Sequence, residues 1–438
     1  MFAYKPDQSI VLAAGIRSPW VRAGGAFASE DCAHLGAKVA RELFARSGVK
    51  PEDIDEVITG CVGPAHDQAN VARVLALRAG VPREVPARTV ARNCASGIEA
   101  VTSAATSIEA GYGNLFLSVG VEVMSAYPLI FGRKMTDMFG RLAKARSIGA
   151  RLGALASFRP SFLTPRIALL EGLTDPTCDM IMGSTAERLA REFSISREES
   201  DAYAVESHMR AKNARTEGRL AQEIVSHMPN AARRGQSSVE HDDGIRDEQT
   251  VAALGKLRPY FEKPDGVVTV GNSCGITDGA AALLIAREDR ARELGLQPLA
   301  RIKSWAWAGL DPARMGLGPV FSSAAALDAA GCTLGDMGAI EINEAFAAQV
   351  LACMRAAGSA TFCQKELGRS SALGEWDPSI TNKNGGAIAL GHPVGATGTR
   401  ILLTTALELQ ASDAELGLAT LCIGGGQGGA VVLERIAA

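Results

Sequence analysis

Gly48-Val49-Lys50-Pro51-Glu52-Asp53-Ile54 stands just before an apolar run at Val57, and Gly331-Cys332-Thr333-Leu334-Gly335-Asp336-Met337 stands just before another at Ile340. One constant offset lays the first stretch over the second. A glycine able to stop a helix, a short acidic turn and a buried strand make a supersecondary unit. Meeting it twice makes a duplicated α/β chain the economical reading. Outward from the first copy, Ile10 to Ala14 reads as a strand, Cys32 to Ser47 as an amphipathic helix through Leu35, Val39 and Leu43, and Val57 to Cys61 as a second strand. Thr89 and Val90 then lead through Asn93-Cys94-Ala95-Ser96-Gly97 into a helix carried by Ile98, Val101, Ala105 and Ile108, which stops at Gly111 before a strand from Leu115 to Val119. In the C-terminal third, the turn and helix after Gly391-His392-Pro393 take the place of the Cys94 turn and helix. The strand Leu418 to Cys422 takes the place of Leu115 to Val119.

A chain of 438 residues exceeds what one hydrophobic core usually covers. With 47% hydrophobic and 21% charged residues and a formal net charge of -3, it reads as a soluble globular protein with no nucleic-acid partner. No apolar run approaches the roughly 20 residues of a spanning helix. Met1 to Ser9 lacks a charged-then-apolar leader pattern, so a cytoplasmic location is expected. The nine cysteines are scattered singly, which argues against a disulfide framework or a zinc ribbon, and no metal site is expected.

Residues 1–126 and 261–290 are read as the first half, 127–260 as an inserted segment and 291–438 as the second half. Within the insert, Arg133, Lys134, Arg141, Lys144, Arg146, Arg151 and Arg159 face the single acid Asp137, and Met138, Leu142, Ala145, Ile148, Leu152 and Leu155 mark a helical apolar stripe. Such a basic amphipathic stretch suits an anionic cofactor, a partner subunit, a membrane surface or a solvated helix face. Ser226 to Gln249 reads as a polar loop.

The chemistry concentrates in three places. Cys94 sits where a strand turns into a helix, and the free amides and positive end of that helix are expected to favour its thiolate. His392 lies between Gly391 and Pro393, where little side-chain bulk obstructs a ligand. Cys422 opens the run Gly424-Gly425-Gly426, bare backbone of the kind an oxyanion hole uses. Asn343, in Asn343-Glu344-Ala345-Phe346, follows the apolar run Ala339 to Ile342 and so falls at a strand end, where α/β folds place ligand groups. A phosphate-cradling role for the glycine run lacks the lysine of a P-loop.

In order and spacing, Cys94-Ala95-Ser96-Gly97, Asn343-Glu344-Ala345-Phe346, Gly391-His392-Pro393 and Cys422-x-Gly-Gly-Gly resemble the thiolase family, and the likeness runs from Ile10 to Glu434. Arg133-Lys134-Met135, Gly244-Ile245-Arg246 and Leu257-Arg258-Pro259 resemble the β-subunit branch of fatty-acid oxidation complexes, although that branch usually carries histidine where Asn343 stands. The resemblance implies a duplicated αβαβα five-layered fold with an inserted loop domain over the substrate. It also implies an acyltransferase that cleaves 3-oxoacyl-CoA with CoA through an acyl-cysteine, or runs the reverse condensation of two acetyl-CoA.

Carried over residue by residue, Cys94 takes the acyl group, His392 activates it and Cys422 moves protons at the acetyl carbon. Asn343, through a water, forms one oxyanion hole with His392, and the amides of Cys94 and Gly424 form another. Ser273, Cys274 and Phe346 are implied as contacts of CoA, with serine common in the family where Cys274 stands. CoA is a substrate and no cofactor is implied. A homodimer or homotetramer is expected, with a hydratase and dehydrogenase α-subunit as a further partner docking through the basic stretch, and membrane contact at most peripheral. A ketoacyl synthase would share Cys94 but not need Cys422, and a non-catalytic acyl-CoA or lipid-binding protein could dispense with all three side chains.

Overall fold

The computed structural model describes residues 1–230 and 237–436, so part of the loop read at Ser226 to Gln249 lies outside the described residues. The first half runs β1 (Ile10–Arg17), α1 (Cys32–Ser47), β2 (Glu56–Gly60), α2 (Val71–Ala79), β3 (Ala87–Val90), α3 (Ser96–Glu109) and β4 (Leu115–Val123). An insert follows, containing α4 (Arg133–Lys144), α5 (Ile148–Ala156), α6 (Met182–Glu192) and α7 (Arg197–Thr216). β5 (Thr277–Arg287) completes the first half. The second half holds β6 (Ala300–Gly309), α8 (Gly318–Ala330), β7 (Met337–Ile342), α9 (Ala347–Gly358), α10 (Val394–Ser412), β8 (Leu416–Ile423) and β9 (Gln427–Arg435).

Hydrogen bonding links the strands in the order β7-β8-β9-β6-β1-β5-β4-β2-β3. The halves match strand for strand. β2 runs parallel to β4, which is antiparallel to β5, itself antiparallel to β1. In the second half, β7 runs parallel to β8, which is antiparallel to β9, itself antiparallel to β6. Across the halves, Ala300 pairs with Leu12 and Arg301 with Val11, and Phe2–Tyr4 pairs antiparallel with β6. The two heptapeptides fold alike: Gly48 (φ 74°) and Gly331 (φ 70°) end α1 and α8 in the left-handed region. Asp53 and Asp336 then accept the Lys50 and Thr333 amides across a short 3-10 turn before β2 and β7.

Helices α3 and α10 form the middle of five layers. Ile98, Val101 and Ile108 of α3 and Ile401, Leu402 and Leu409 of α10 share one core with Phe116 and Leu283 of the first sheet and Leu421 and Val431 of the second. Helices α1 and α2 cover the outside of the first sheet, and α8 and α9 the outside of the second. The central helices approach at their first turns. A Cβ at Gly97 would collide with the Thr399 main-chain nitrogen, and one at Gly398 with that of Ile98.

Among the described residues the insert adds no strand to this sheet; they form two short hairpins, including Leu129–Phe131 with Pro165–Ile167. Its apolar stripe is divided between two helices. The helix breaks between Lys144 and Ile148, and while Met138 is buried, Ile148, Leu152 and Leu155 face solvent. Among the described residues no helix is long and apolar enough to cross a membrane.

Because backbone lies against backbone at the crossing, Gly398→Ala is expected to destabilise the fold by about 1–3 kcal/mol through overpacking. Gly335→Ala, where the nearest atom stands 3.8 Å from the new Cβ, is expected to stay within about 0.5 kcal/mol of the parent. Urea unfolding of the two variants side by side checks this, and equal midpoints would refute the crossing as a tight contact.

Candidate active site

The turn that carries Cys94 is held by its own side chains. Asn93 adopts φ 44°, the Ser96 hydroxyl donates to the Asn93 carbonyl (2.8 Å) and accepts the Arg92 amide (2.9 Å), and the Asn93 side chain donates to the Gly424 carbonyl (2.8 Å). That last bond ties the nucleophile turn of the first half to the glycine run of the second. Cys94, Asn93 and Gly424 line a cavity of about 310 Å³ with Val62, Met124, Met182 and Val394, and residues from Leu169 to Thr177 of the insert close one side. A cleft of about 460 Å³ between α3 and Trp305 and Trp307 holds none of the candidate residues.

Burial pushes the Cys94 thiol above its ordinary value. The amides of Gly424 and of Cys94 itself pull it back, and the Glu122 carboxylate adds to the rise. The expected thiolate is therefore corrected to a resting thiol, because α3 begins two residues further on and the loss of water outweighs its positive end. Two main-chain amides converging on one sulfur still make a donor pair for negative charge.

His392 precedes α10, and its amide donates to the Gly275 carbonyl (3.1 Å). Burial, with the Arg400 cation nearby, brings the imidazole down to about 4, so it is neutral at neutral pH. Nδ1 lies 2.6 Å from the Thr397 hydroxyl, whose own hydrogen is donated to the Pro393 carbonyl (3.0 Å). Thr397 can only accept from the ring, so Nδ1 carries the hydrogen and Nε2 the free lone pair. Nε2 is buried and has no protein partner.

Asn343 ends β7 with its amide bonded to the Thr420 carbonyl (3.0 Å), and its fully buried side chain has partners for neither oxygen nor nitrogen. Buried polar groups are rarely left this way. Asn343 and His392 flank one segment, since Cys274 donates to the Ala345 carbonyl (3.0 Å) while Gly275 accepts from His392. Cys422, near the end of β8, is driven well up by burial and by the charges of Cys94, Cys353 and Cys274. Cys274 is pushed up to about 12 by burial and the Cys94 charge. Three thiols thus act on one another around one place.

Ser273 and Phe346 do not line the Cys94 cavity. Ser273 donates to the Thr269 carbonyl (2.7 Å) in a smaller cleft with Arg22, His208 and Arg246. Phe346 is buried edge-on against Phe261, at a centroid distance of 6.1 Å.

Two carboxylates and a hydroxyl escaped the sequence reading. Glu122 accepts the amides of Val62 (3.1 Å), Gly63 (2.8 Å) and Gly395 (2.9 Å), clamping the start of α10 to β4. Glu344 accepts from Ser207 (2.6 Å), Tyr203 (3.1 Å), Asn382 (2.7 Å) and the Ile388 amide (3.1 Å), joining the Asn343 box to α7 and to the segment before His392. An acid inside the apolar run Leu115–Val123 was the available signal for Glu122. For Thr397 it was a hydroxyl one turn into the helix after His392.

Residues 10–289 match the thiolase N-terminal domain and residues 296–435 the thiolase C-terminal domain. An acetyl-CoA acetyltransferase of Shinella zoogloeoides is 41% identical over 416 residues, 94% of this chain and 95% of that protein. A 3-ketoacyl-CoA thiolase of Aeromonas salmonicida is 38% identical over 432 residues, 98% of each. The crystal structure of human mitochondrial 3-ketoacyl-CoA thiolase in complex with CoA superposes with a TM-score of 0.83 at 34% identity, covering 98% of both chains. Fold and matches together define an acyltransferase enzyme. The chain belongs to the thiolase family.

A base neutral down to about 4 keeps its lone pair through the pH range in which an ordinary imidazole, near ~6.5, would lose it. Single-turnover acylation of Cys94 is therefore expected to fall on the acid side with a midpoint near about 4; a midpoint near 6.5 would contradict a buried neutral imidazole. Thr397→Val removes the acceptor for Nδ1–H and is expected to slow acylation roughly 10²-fold, the low end of what a positioned base supplies.

Proposed function

We propose that this enzyme cleaves 3-oxoacyl-CoA by thiolysis, giving acetyl-CoA and a shortened acyl-CoA through an acyl-Cys94 intermediate, as in fatty-acid β-oxidation. The observation that carries the reading is the buried lone pair of His392 Nε2, with its tautomer set by Thr397. Nε2 takes the Cys94 proton as the sulfur attacks the 3-oxo carbon. The bond between C2 and C3 then breaks, and the electron pair left on C2 takes the Cys422 proton, releasing acetyl-CoA. In the second half, the Cys422 thiolate takes the proton of incoming CoA, whose sulfur displaces Cys94 from the acyl group. His392 returns its proton to Cys94, and every proton is back in place. Asn343, through a water, and His392 hold one developing oxyanion, while the amides of Cys94 and Gly424 hold the other.

The apolar walls of the cavity, with Val62, Met124, Leu173, Met182 and Val394 around Cys94, favour acyl chains longer than acetyl. Reverse condensation of two acetyl-CoA is the second reading, supported by relatives named acetyl-CoA acetyltransferase. A homodimer or homotetramer belongs to the same proposal, supported by the edge strand β3, whose outer main chain has no sheet partner among the described residues. So does a cytoplasmic location, which suits nine free cysteines.

Comparing kcat/KM over 3-oxoacyl-CoA substrates from four to sixteen carbons is expected to show a rise beyond four; activity on the four-carbon substrate alone would favour the second reading. After incubation with acyl-CoA, mass analysis of a digest is expected to find the acyl group on Cys94. Cys422→Ala is expected to leave that acylated species formable from a simple acyl-CoA while lowering thiolysis by 10²-fold or more, roughly. Near-normal thiolysis in that variant would remove Cys422 from the mechanism.

A further inference from the structure

Among the described residues that line the Cys94 cavity, Tyr127 is the one aromatic. It follows β4 by a short 3-10 turn, Met124–Ala126. Pro128, next in the chain, accepts the Ala168 amide (3.2 Å) just ahead of the wall formed by residues from Leu169 to Thr177. The ring therefore stands where the first half passes into the insert.

Its far end is fixed on two sides. The hydroxyl donates to Glu122 Oε1 (3.3 Å), on the carboxylate that also accepts the Val62, Gly63 and Gly395 amides. The same end lies against the main chain of Gly63, where a Cβ would stand 2.4 Å from Tyr127 Cζ and 2.5 Å from its oxygen. Burial and the Glu122 charge raise the phenol above its ordinary value, so the oxygen keeps its hydrogen and stays a donor.

With its hydroxyl turned to Glu122, the ring gives the cavity carbon surface. Met124 and Met182, also in the wall, are unbranched thioethers that reshape around what they touch. Tyr127 cannot yield in that way without taking a donor from a buried carboxylate. A wall of fixed volume in an apolar cavity separates ligands that differ by a few methylenes.

We propose that Tyr127 is a specificity-determining residue, its anchored ring setting the length beyond which straight acyl chains no longer fit beside Cys94. The inference rests on the thiolysis reading and narrows its substrate class to 3-oxoacyl-CoA of medium length, longer than acetyl but short of the longest straight chains. A smaller side chain at this position moves the limit to longer chains.

The test is the single-turnover rate at which saturated acyl-CoA of four to sixteen carbons acylates Cys94, followed by mass analysis of the full chain. In the parent, the sixteen-carbon rate is expected to fall below the eight-carbon rate. Tyr127→Ala is expected to raise the ratio of the two by about 10-fold or more, the effect of relieving a methylene-sized misfit in an apolar pocket. Tyr127→Phe, which keeps the ring and leaves Glu122 its three amides, is expected to keep the parent ratio. Should Tyr127→Ala fail to fold, Tyr127→Val carries the same expectation. An unchanged ratio in the small variant overturns the proposal. So does a slowing equal at every length, which assigns Tyr127 a structural role, or a parent rate that climbs up to sixteen carbons. The underlying reading fails differently: a parent that is acylated on Cys94 yet forms no acetyl-CoA from 3-oxoacyl-CoA and CoA refutes thiolysis, and the acylation ratios still decide the role of Tyr127.

Discussion

The crossing of α3 and α10 at Gly97 and Gly398 is the contact on which the rest of the molecule depends. Each half contributes one central helix, and each helix is entered through a turn that carries a candidate site residue: Cys94 before α3, His392 before α10. Helices normally pack 8–10 Å apart, roughly, because side chains stand between them. With glycine on both sides of the closest point, main chain meets main chain. The two entry turns are then drawn to one side of the middle layer, where the glycine run after β8 can reach both. Sheets on either side of the pair hold the crossing in place through one shared core.

Buried carboxylates secure the turns that the crossing brings together. Glu122 gathers amides from the loop after β2 and from Gly395 of α10, while Glu344 gathers the Asn343 box, α7 and the helical turn before His392. A buried carboxylate satisfied by several main-chain donors is costly to disrupt, since removing it strands every donor at once. Such hubs let loops rather than regular elements hold reactive groups to small tolerances. They also show why the insert is needed at the site: α7 supplies Ser207 and Tyr203 to Glu344, and so stiffens the segment that ends in His392.

The duplicated α/β architecture was legible because each copy spells its own boundaries. Gly48 and Gly331 cap helices in the left-handed region, and Asp53 and Asp336 close the following turns. Strand starts at Ile10, Val57 and Leu115 fell within a residue of their places, since apolar runs bounded by turn residues carry that signal locally. Cys94 and Gly424 were legible as members of one site, and the structure brings them to one cavity. Ionisation was not legible. Helix position argued for a thiolate at Cys94, but desolvation is a property of the packed whole and reversed the outcome. Phe346, implied as a CoA contact by the resemblance, packs edge-on against Phe261. The stripe through Ile148 and Leu155 was legible as amphipathic and its covering was not, because periodicity reports the apolar face of a helix and not what packs on it.

A resting thiol beside a neutral imidazole carries a consequence for how the site works. The Cys94 thiol lies above its ordinary value and the His392 imidazole near about 4, so burial opposes transfer of the proton from the one to the other. On the proposed mechanism that opposition is offset where negative charge develops next to the Gly424 and Cys94 amides or the unpartnered Asn343 side chain. On the proposed mechanism the reacting carbonyl activates Cys94, which otherwise stays a thiol. With Cys274 and Cys422 close enough to raise one another, a standing thiolate at Cys94 would expose the cluster to oxidation. Keeping all three protonated protects the sulfurs, and on the proposed mechanism it confines the chemistry to the thioester.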